Sequence, residues 1–190
     1  MKSIPNDRLY DTPGETVKTA REQEDNRNTN AESDFRIARD GTWFYHGSPI
    51  LRKSLVKLFS TVLTREKDGS FWLVTPVERV EVTVDDAPFV VVAATHAGSG
   101  KYQCLHFRTN LGDMIEAGPE HPIWVIVNPE NGQPTPYVKI RSGIEALIAR
   151  TVFYDLVAWA EEDVSIGELF IQSNNMRFSL GRFTEENNTA

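Results

Sequence analysis

The chain predicts an α+β fold of two small lobes built mostly from antiparallel strands. Short alternating apolar runs separated by Gly, Asn, Pro and Asp turns recur through the chain, the signature of strand hairpins. Only two stretches carry helical spacing or length, and both sit among hairpins rather than alternating one for one with strands. The order strand, helix, strand hairpin is read twice, once around each helix, which indicates a weak internal duplication.

Residues 1–33 are almost all polar, and "TAREQEDNRNTNAES" holds no aromatic or large aliphatic side chain. Such a segment buries too little surface to offset its ordering entropy, so it is expected to be a disordered tail. The same holds for 185–190. The first lobe is expected over 34–84. It opens with "FRIARDGTWFYHG", a hairpin turning at Asp40-Gly41. "SPILRKSLVKLFSTVLTRE" is read as a helix with Ser48 as N-cap, Pro49 in the first turn, and Leu51, Leu55, Leu58 and Val62 on its buried face. "FWLVTPVERVEVTV" then forms a strand pair bent near Pro76.

The second lobe, 85–184, is richer in strand signals. "APFVVVAATH", "YQCLHFRTN", "IWVIVN" and "YVKIR" are strands joined by Gly, Asn or Pro turns. "GIEALIARTVFYDLVAWAEED" is read as one long helix, apolar on nearly all sides and therefore buried between layers. "ELFIQSNNMRFSLGRF" closes the lobe as a hairpin through Asn174-Asn175.

Bulk properties exclude some function classes. Of 190 residues, 40% are hydrophobic and 25% charged, and the formal net charge is −7. That balance argues against nucleic-acid binding as the main role. No apolar run is long enough to span a bilayer and no secretory signal opens the chain. One cysteine, Cys104, forms no internal disulfide. The expectation is a cytoplasmic protein without a membrane partner.

"HAGSGK" (96–101) imitates the end of a phosphate-binding loop. Thr95 stands where the first glycine belongs, Tyr102 where a hydroxyl should follow the lysine, and the next segment alternates like a strand. It is read as a hairpin tip. Cys104 and His106 share one strand face, but no third ligand is apparent, and the remaining histidines are scattered, so no metal or cofactor is expected. Consecutive Asp85 and Asp86 point to opposite sides of a strand, and turn formation before Pro88 is their simpler role. No nucleophile elbow or other catalytic motif is present.

Charge is unevenly distributed. Between Phe35 and Lys67 stand Arg36, Arg39, Arg52, Lys53, Lys57, Arg65 and Lys67 against Asp40 and Glu66 alone. On a helical wheel Lys53, Lys57, Ser60 and Thr64 form one stripe, either a solvated face or a row able to grip phosphate oxygens. Trp43 and Tyr45 share one side of their strand and would either pack in the hairpin or stack on a ring near Arg39. Arg150, four residues before Tyr154, is expected to pair with Glu78, Asp85, Asp86 or Glu161, the alternative being a bound anion.

The blocks "RIARDGTWFYHGSPILRKSLVKLFSTVLTRE" and "FWLVTPVERVEVTVDDAPFV", continued by "FRTNLGD", "EHPIWV" and "IRSGIEALIARTVFYDLV", closely resemble a bacterial family, domain of unknown function 1285. The resemblance spans nearly the whole folded region, with Leu51 standing where a small residue is expected. It implies a two-part fold with duplicated motifs whose second part is superficially pleckstrin-homology-like. It also implies a nucleotide-like ligand at the junction of the parts and a role in signal transduction; it supplies no catalytic residues.

These readings combine into a regulatory binding module that takes an anionic, nucleotide-like small molecule between the lobes. Its candidate residues are Arg39 and Lys57 for charge, Ser60 and Thr75 for hydroxyls, Trp43 or Tyr45 for stacking, and Arg150. The alternatives are an adaptor whose basic helix docks an acidic signalling protein, and an enzyme acting on a phosphorylated metabolite.

Overall fold

The computed structural model describes residues 33–182; apart from Ser33, the tails expected at 1–33 and 185–190 lie outside them. The first lobe begins with a three-stranded meander, β1 (Phe35–Ile37), β2 (Trp43–Tyr45) and β3 (Ser48–Pro49). Helix α1 (Lys53–Val62) follows, then a second meander, β4 (Leu63–Arg65), β5 (Phe71–Val74) and β6 (Arg79–Val84). The two meanders form one sheet in the order β3-β2-β1-β6-β5-β4. Its central pair, β1 and β6, is parallel, with Phe35 opposite Val82 and Ile37 opposite Val84. The other neighbours are antiparallel.

The second lobe repeats this plan. Its meanders are β7 (Phe89–Ala97), β8 (Cys104–Thr109) and β9 (Met114–Glu116), then β10 (Ile123–Val127), β11 (Pro134–Arg141) and β12 (Ile144–Ile148). The order β10-β11-β12-β7-β8-β9 is the first sheet's order reversed, and again the first and last strands, β7 and β12, meet in parallel. Helix α2 (Arg150–Ala158) leads to a third sheet, β13 (Glu161–Asp163), β14 (Glu168–Ser173) and β15 (Met176–Arg182). Meander, helix, meander thus occurs around both helices; β15 packs near β10 from a separate sheet, where β6 pairs directly with β1. The fold is α+β with a duplicated two-lobe arrangement.

Local chemistry explains the elements. At the first hairpin Gly41 takes φ +82°, and the Asp40 carboxylate accepts from the Thr42 N–H at 2.9 Å, which holds its pKa below the ordinary value. A Cβ on Gly41 would stand 2.3 Å from Asn110 Nδ2, so this turn can abut the second lobe only as glycine. Asn174 and Asn175, both at positive φ, make the closing hairpin turn.

Two expected boundaries move. Ser48 and Pro49 extend the first meander, paired with Tyr45 and Phe44, and α1 starts only at Lys53 without a side-chain cap. Proline is tolerated there because β3 is an edge strand that spares its missing N–H. The helix is also rotated from the expected wheel. Val56 and Ser60 are buried and Phe59 is half-buried, while Leu51 and Leu58 are 86% and 60% exposed. In the second lobe the expected long helix divides. Ile144, Ala146 and Ile148 alternate inward as β12, and helix begins only at Arg150. α2 buries Val152, Phe153 and Leu156 and leaves Tyr154 and Val157 exposed, so it is one-sided. A strand pairing in parallel within a sheet is apolar enough to pass for helix.

One hydrophobic core runs through both lobes, from Ile37, Trp43, Leu63 and Val82 to Phe89, Phe107, Val138 and Ile148. Polar bonds reinforce the junction. Arg141 donates from Nη2 to the carbonyls of Ser60 (2.6 Å) and Leu63 (3.0 Å), terminating α1 from the other lobe. Arg65 pairs with Glu145 at 2.8 Å, and Lys57 lies 3.4 Å from Asp113. The third sheet is fastened by Ser173, whose buried hydroxyl donates to Ala117 O and accepts from Leu105 N.

Candidate functional site

The outer face of the β10–β12 meander is the floor of a cleft, and the first lobe supplies a wall. Alternation along the strands turns Trp124 and Ile126, Thr135 and Tyr137, and Glu145 and Leu147 to this face, while Ile123, Val138, Ala146 and Ile148 point into the core. The face carries two adjoining depressions.

The larger, about 500 Å3, is bounded by Arg39 from the β1–β2 turn, by Gln133–Pro136, and by Arg150, Phe153 and Tyr154 of α2. No side chain caps the N-terminus of α2. Arg150 stands in its first turn, exposed and without an ion-pair partner among the described residues. A guanidinium at the positive end of a helix adds to the charge there instead of balancing it. The expected structural pairing of Arg150 with Glu78, Asp85, Asp86 or Glu161 is not formed.

The smaller depression, about 350 Å3, is lined by Arg65, Asp86, Trp124, Ile126, Tyr137 and Glu145. Trp124 and Tyr137 stack, with centroids 5.8 Å apart and planes within 18°. Asp86 joins the depressions: one carboxylate oxygen accepts from Tyr137 Oη at 2.7 Å and the other from Arg39 Nε at 3.0 Å. Burial, then the bond to Asp86, push the Tyr137 phenol up to about 12. Burial raises Glu145 as well, and the Arg65 guanidinium opposes that shift.

The Tyr137 shift has a measurable sign. In the unfolded chain the phenol ionises near 10.0, whereas the folded protein holds its proton to about 12. Its contribution to stability is therefore complete below pH ~10 and is lost as pH rises through the folded value. Tyr137→Phe is expected to show a flatter alkaline limb of stability against pH, read by denaturant melts, and to lack the latest phenolate absorbance step.

Arg39 and Arg150 are thus brought to one cleft, and the other candidates lie apart. Trp43 is 1% exposed in the core against Phe59, with its Nε1 unpartnered, because its side of β2 faces α1. Tyr45 packs on Phe35 and His46. Ser60, buried by the rotation of α1, donates back to the Lys57 carbonyl at 2.8 Å. Lys57 pairs with Asp113 and lines neither depression. Thr75 closes the β5–β6 turn, donating to Glu78 O and accepting from Glu78 N. "HAGSGK" is the tip between β7 and β8; a Cβ on Gly98 would meet Tyr102 O at 2.4 Å, so close packing of the turn requires glycine there. Sequence reasoning missed Trp124, Tyr137 and the double use of Asp86. The alternation "IWVIV" opposite "PYVKI" was the signal that could have paired the two rings.

Three sheets with a repeated meander–helix–meander unit define a duplicated, two-lobed α+β protein. The DUF1285 family's N-terminal domain, a domain of unknown function, matches residues 24–87, and its C-terminal domain, described as a protein of unknown function, matches 88–180, so the chain belongs to this family. Among solved structures, a DUF1285 family protein from Silicibacter pomeroyi DSS-3 is 48% identical, aligned over 80% of this chain and 82% of its own, with a TM-score of 0.73. Another from Shewanella baltica OS155 is 26% identical, over 66% and 91%, with a TM-score of 0.52. No curated protein matches the chain. Among the described residues no helix is long and apolar enough to cross a membrane.

Proposed function

We propose that this protein is a regulatory module binding an anionic, nucleotide-like small molecule in the cleft between its lobes. The observation that carries the reading is Arg150, without an ion-pair partner among the described residues, at the start of α2, where no side chain caps the helix, and lining one depression with Arg39. Two guanidiniums and free helix N–H groups together favour phosphate oxygens. The Trp124–Tyr137 stack in the adjoining depression offers a flat surface for a ring at the ligand's other end. Binding across the junction would tie the lobes together, which suits a cytoplasmic sensor in signal transduction and the pleckstrin-homology-like character ascribed to the second lobe. The candidate groups are accordingly Arg39, Arg150, Tyr154, Trp124 and Tyr137; Lys57, Ser60, Thr75, Trp43 and Tyr45 support the fold instead.

Thermal denaturation of the full chain with inorganic phosphate and a panel of nucleoside mono- and diphosphates tests this. A ligand at 100-fold its Kd stabilises by about 2.7 kcal/mol, a rise of roughly 5–10 °C for a protein of this size. Arg150→Ala is expected to abolish most of that rise while leaving the ligand-free midpoint nearly unchanged. Absence of stabilisation by any of these compounds, or an equal rise in Arg150→Ala, overturns the proposal.

A further inference from the structure

A second surface, on the outward side of α1, has its own chemistry. From Gly47 to Arg65 the chain carries Arg52, Lys53, Lys57 and Arg65 and no carboxylate, although the whole protein has a net charge of −7. The rotation of α1 that buries Val56 and Ser60 leaves Lys53, Ser54, Lys57, Leu58 and Thr61 exposed. Leu51, just before the helix, is 86% exposed and Leu58 60%. Lys57 reaches Asp113, whose neighbour Met114 is 62% exposed and stands on β9, the free edge of the second sheet. Arg52 and Lys53 form no ion pair among the described residues.

Exposed aliphatic side chains flanked by unpaired cations are what a helix with acidic and leucine-rich faces would complement. We infer that the outward face of α1, with Leu51, Arg52, Lys53 and Leu58, docks an acidic amphipathic segment of a partner protein. A bilayer fits the face less well. Val56 and Phe59 are committed to the core, so α1 cannot roll an apolar face into lipid. Asp113 lies within the patch, and the rest of the protein is anionic and is repelled by an anionic membrane. None of Leu51, Arg52, Lys53 and Leu58 lines the two depressions on the β10–β12 face, and neither proposal depends on the other.

The test is fluorescence anisotropy of a labelled synthetic helical peptide, with glutamates on one face and leucines on the other, titrated with the full chain. Arg52→Glu with Lys53→Glu is expected to weaken binding by about tenfold or more. Leu58→Ser, which keeps every charge, is expected to weaken it severalfold, and both variants should keep the native melting midpoint because these side chains are exposed. Failure to bind the peptide, or binding insensitive to either variant, overturns the inference. So does a preference for phosphatidylserine-containing phosphatidylcholine vesicles over the peptide. Phosphate and nucleotide titrations of the same variants read the cleft separately.

Discussion

Arg141→Met is expected to destabilise the protein by about 2–4 kcal/mol, the cost of leaving two carbonyls at a helix end without a charged donor. The guanidinium reaches from β11 to the Ser60 and Leu63 carbonyls at the end of α1. α1 has no basic residue of its own in its last turn, so this foreign cation is what balances the negative pole. Burial holds the Arg141 pKa below the usual arginine value, and the side chain stays charged because that value begins far above neutrality. Methionine keeps much of the stem's packing and removes the donors. Arg141→Lys should recover about half of the loss, because an ammonium serves two carbonyls less well than a planar fork. Urea melts with paired fluorescence and circular dichroism read this out. A loss of unfolding free energy below ~0.5 kcal/mol would mean that water replaces the guanidinium and that Arg141 adds little to the junction.

Ser173→Ala is expected to cost about 2–3 kcal/mol for the removal of one oxygen atom. The hydroxyl is fully buried and completes two backbone groups, donating to Ala117 O at 2.7 Å and accepting from Leu105 N at 2.9 Å. Alanine fits the space but leaves the Leu105 N–H dry and unpaired, while Ala117 O keeps its bond from Asn174 Nδ2 at 2.9 Å. Because Ser173 is the buried member of the ties between the third sheet and β8, amide exchange should rise in β14 and β15 more than in the first lobe. Ser173→Thr, which keeps the hydroxyl and adds a methyl, separates hydrogen-bond loss from volume change. Uniform exchange across the chain after Ser173→Ala would mean that the third sheet has no separate stability.

Much of the fold was legible because it is written in local chemistry. Asp40-Gly41 and Asn174-Asn175 announce their turns, and the alternation of "FWLV" and "RVEVTV" gives β5 and β6 directly. Where a segment's fate depends on distant partners, composition misleads. "IEALI" reads as helix, yet β7 claims it as a parallel neighbour through Val90 and Val91. Leu51 and Leu58 looked like the natural core face of α1, but Phe35 and Trp43 meet Phe59 instead and fix the helix in another rotation. The site shows the same division. Arg39 and Arg150 were visible as isolated cations, and their meeting in one cleft depends on a junction between sheets that no spacing encodes. Trp124 and Tyr137 become partners only once β10 and β11 fall into register.

The parallel pair at the centre of each sheet bears on synthesis. β1 leaves the ribosome early, yet the neighbour that fills its second flank, β6, is completed only at Val84; β7 waits likewise for Ile148. During elongation each lobe therefore presents an apolar strand with one side bare until its last strand emerges, a window in which a nascent chain is exposed to mispairing with its neighbours. A pause after Val84 has cleared the exit tunnel would let the first lobe close and shorten that hazard, and a pause before β6 has emerged would prolong it.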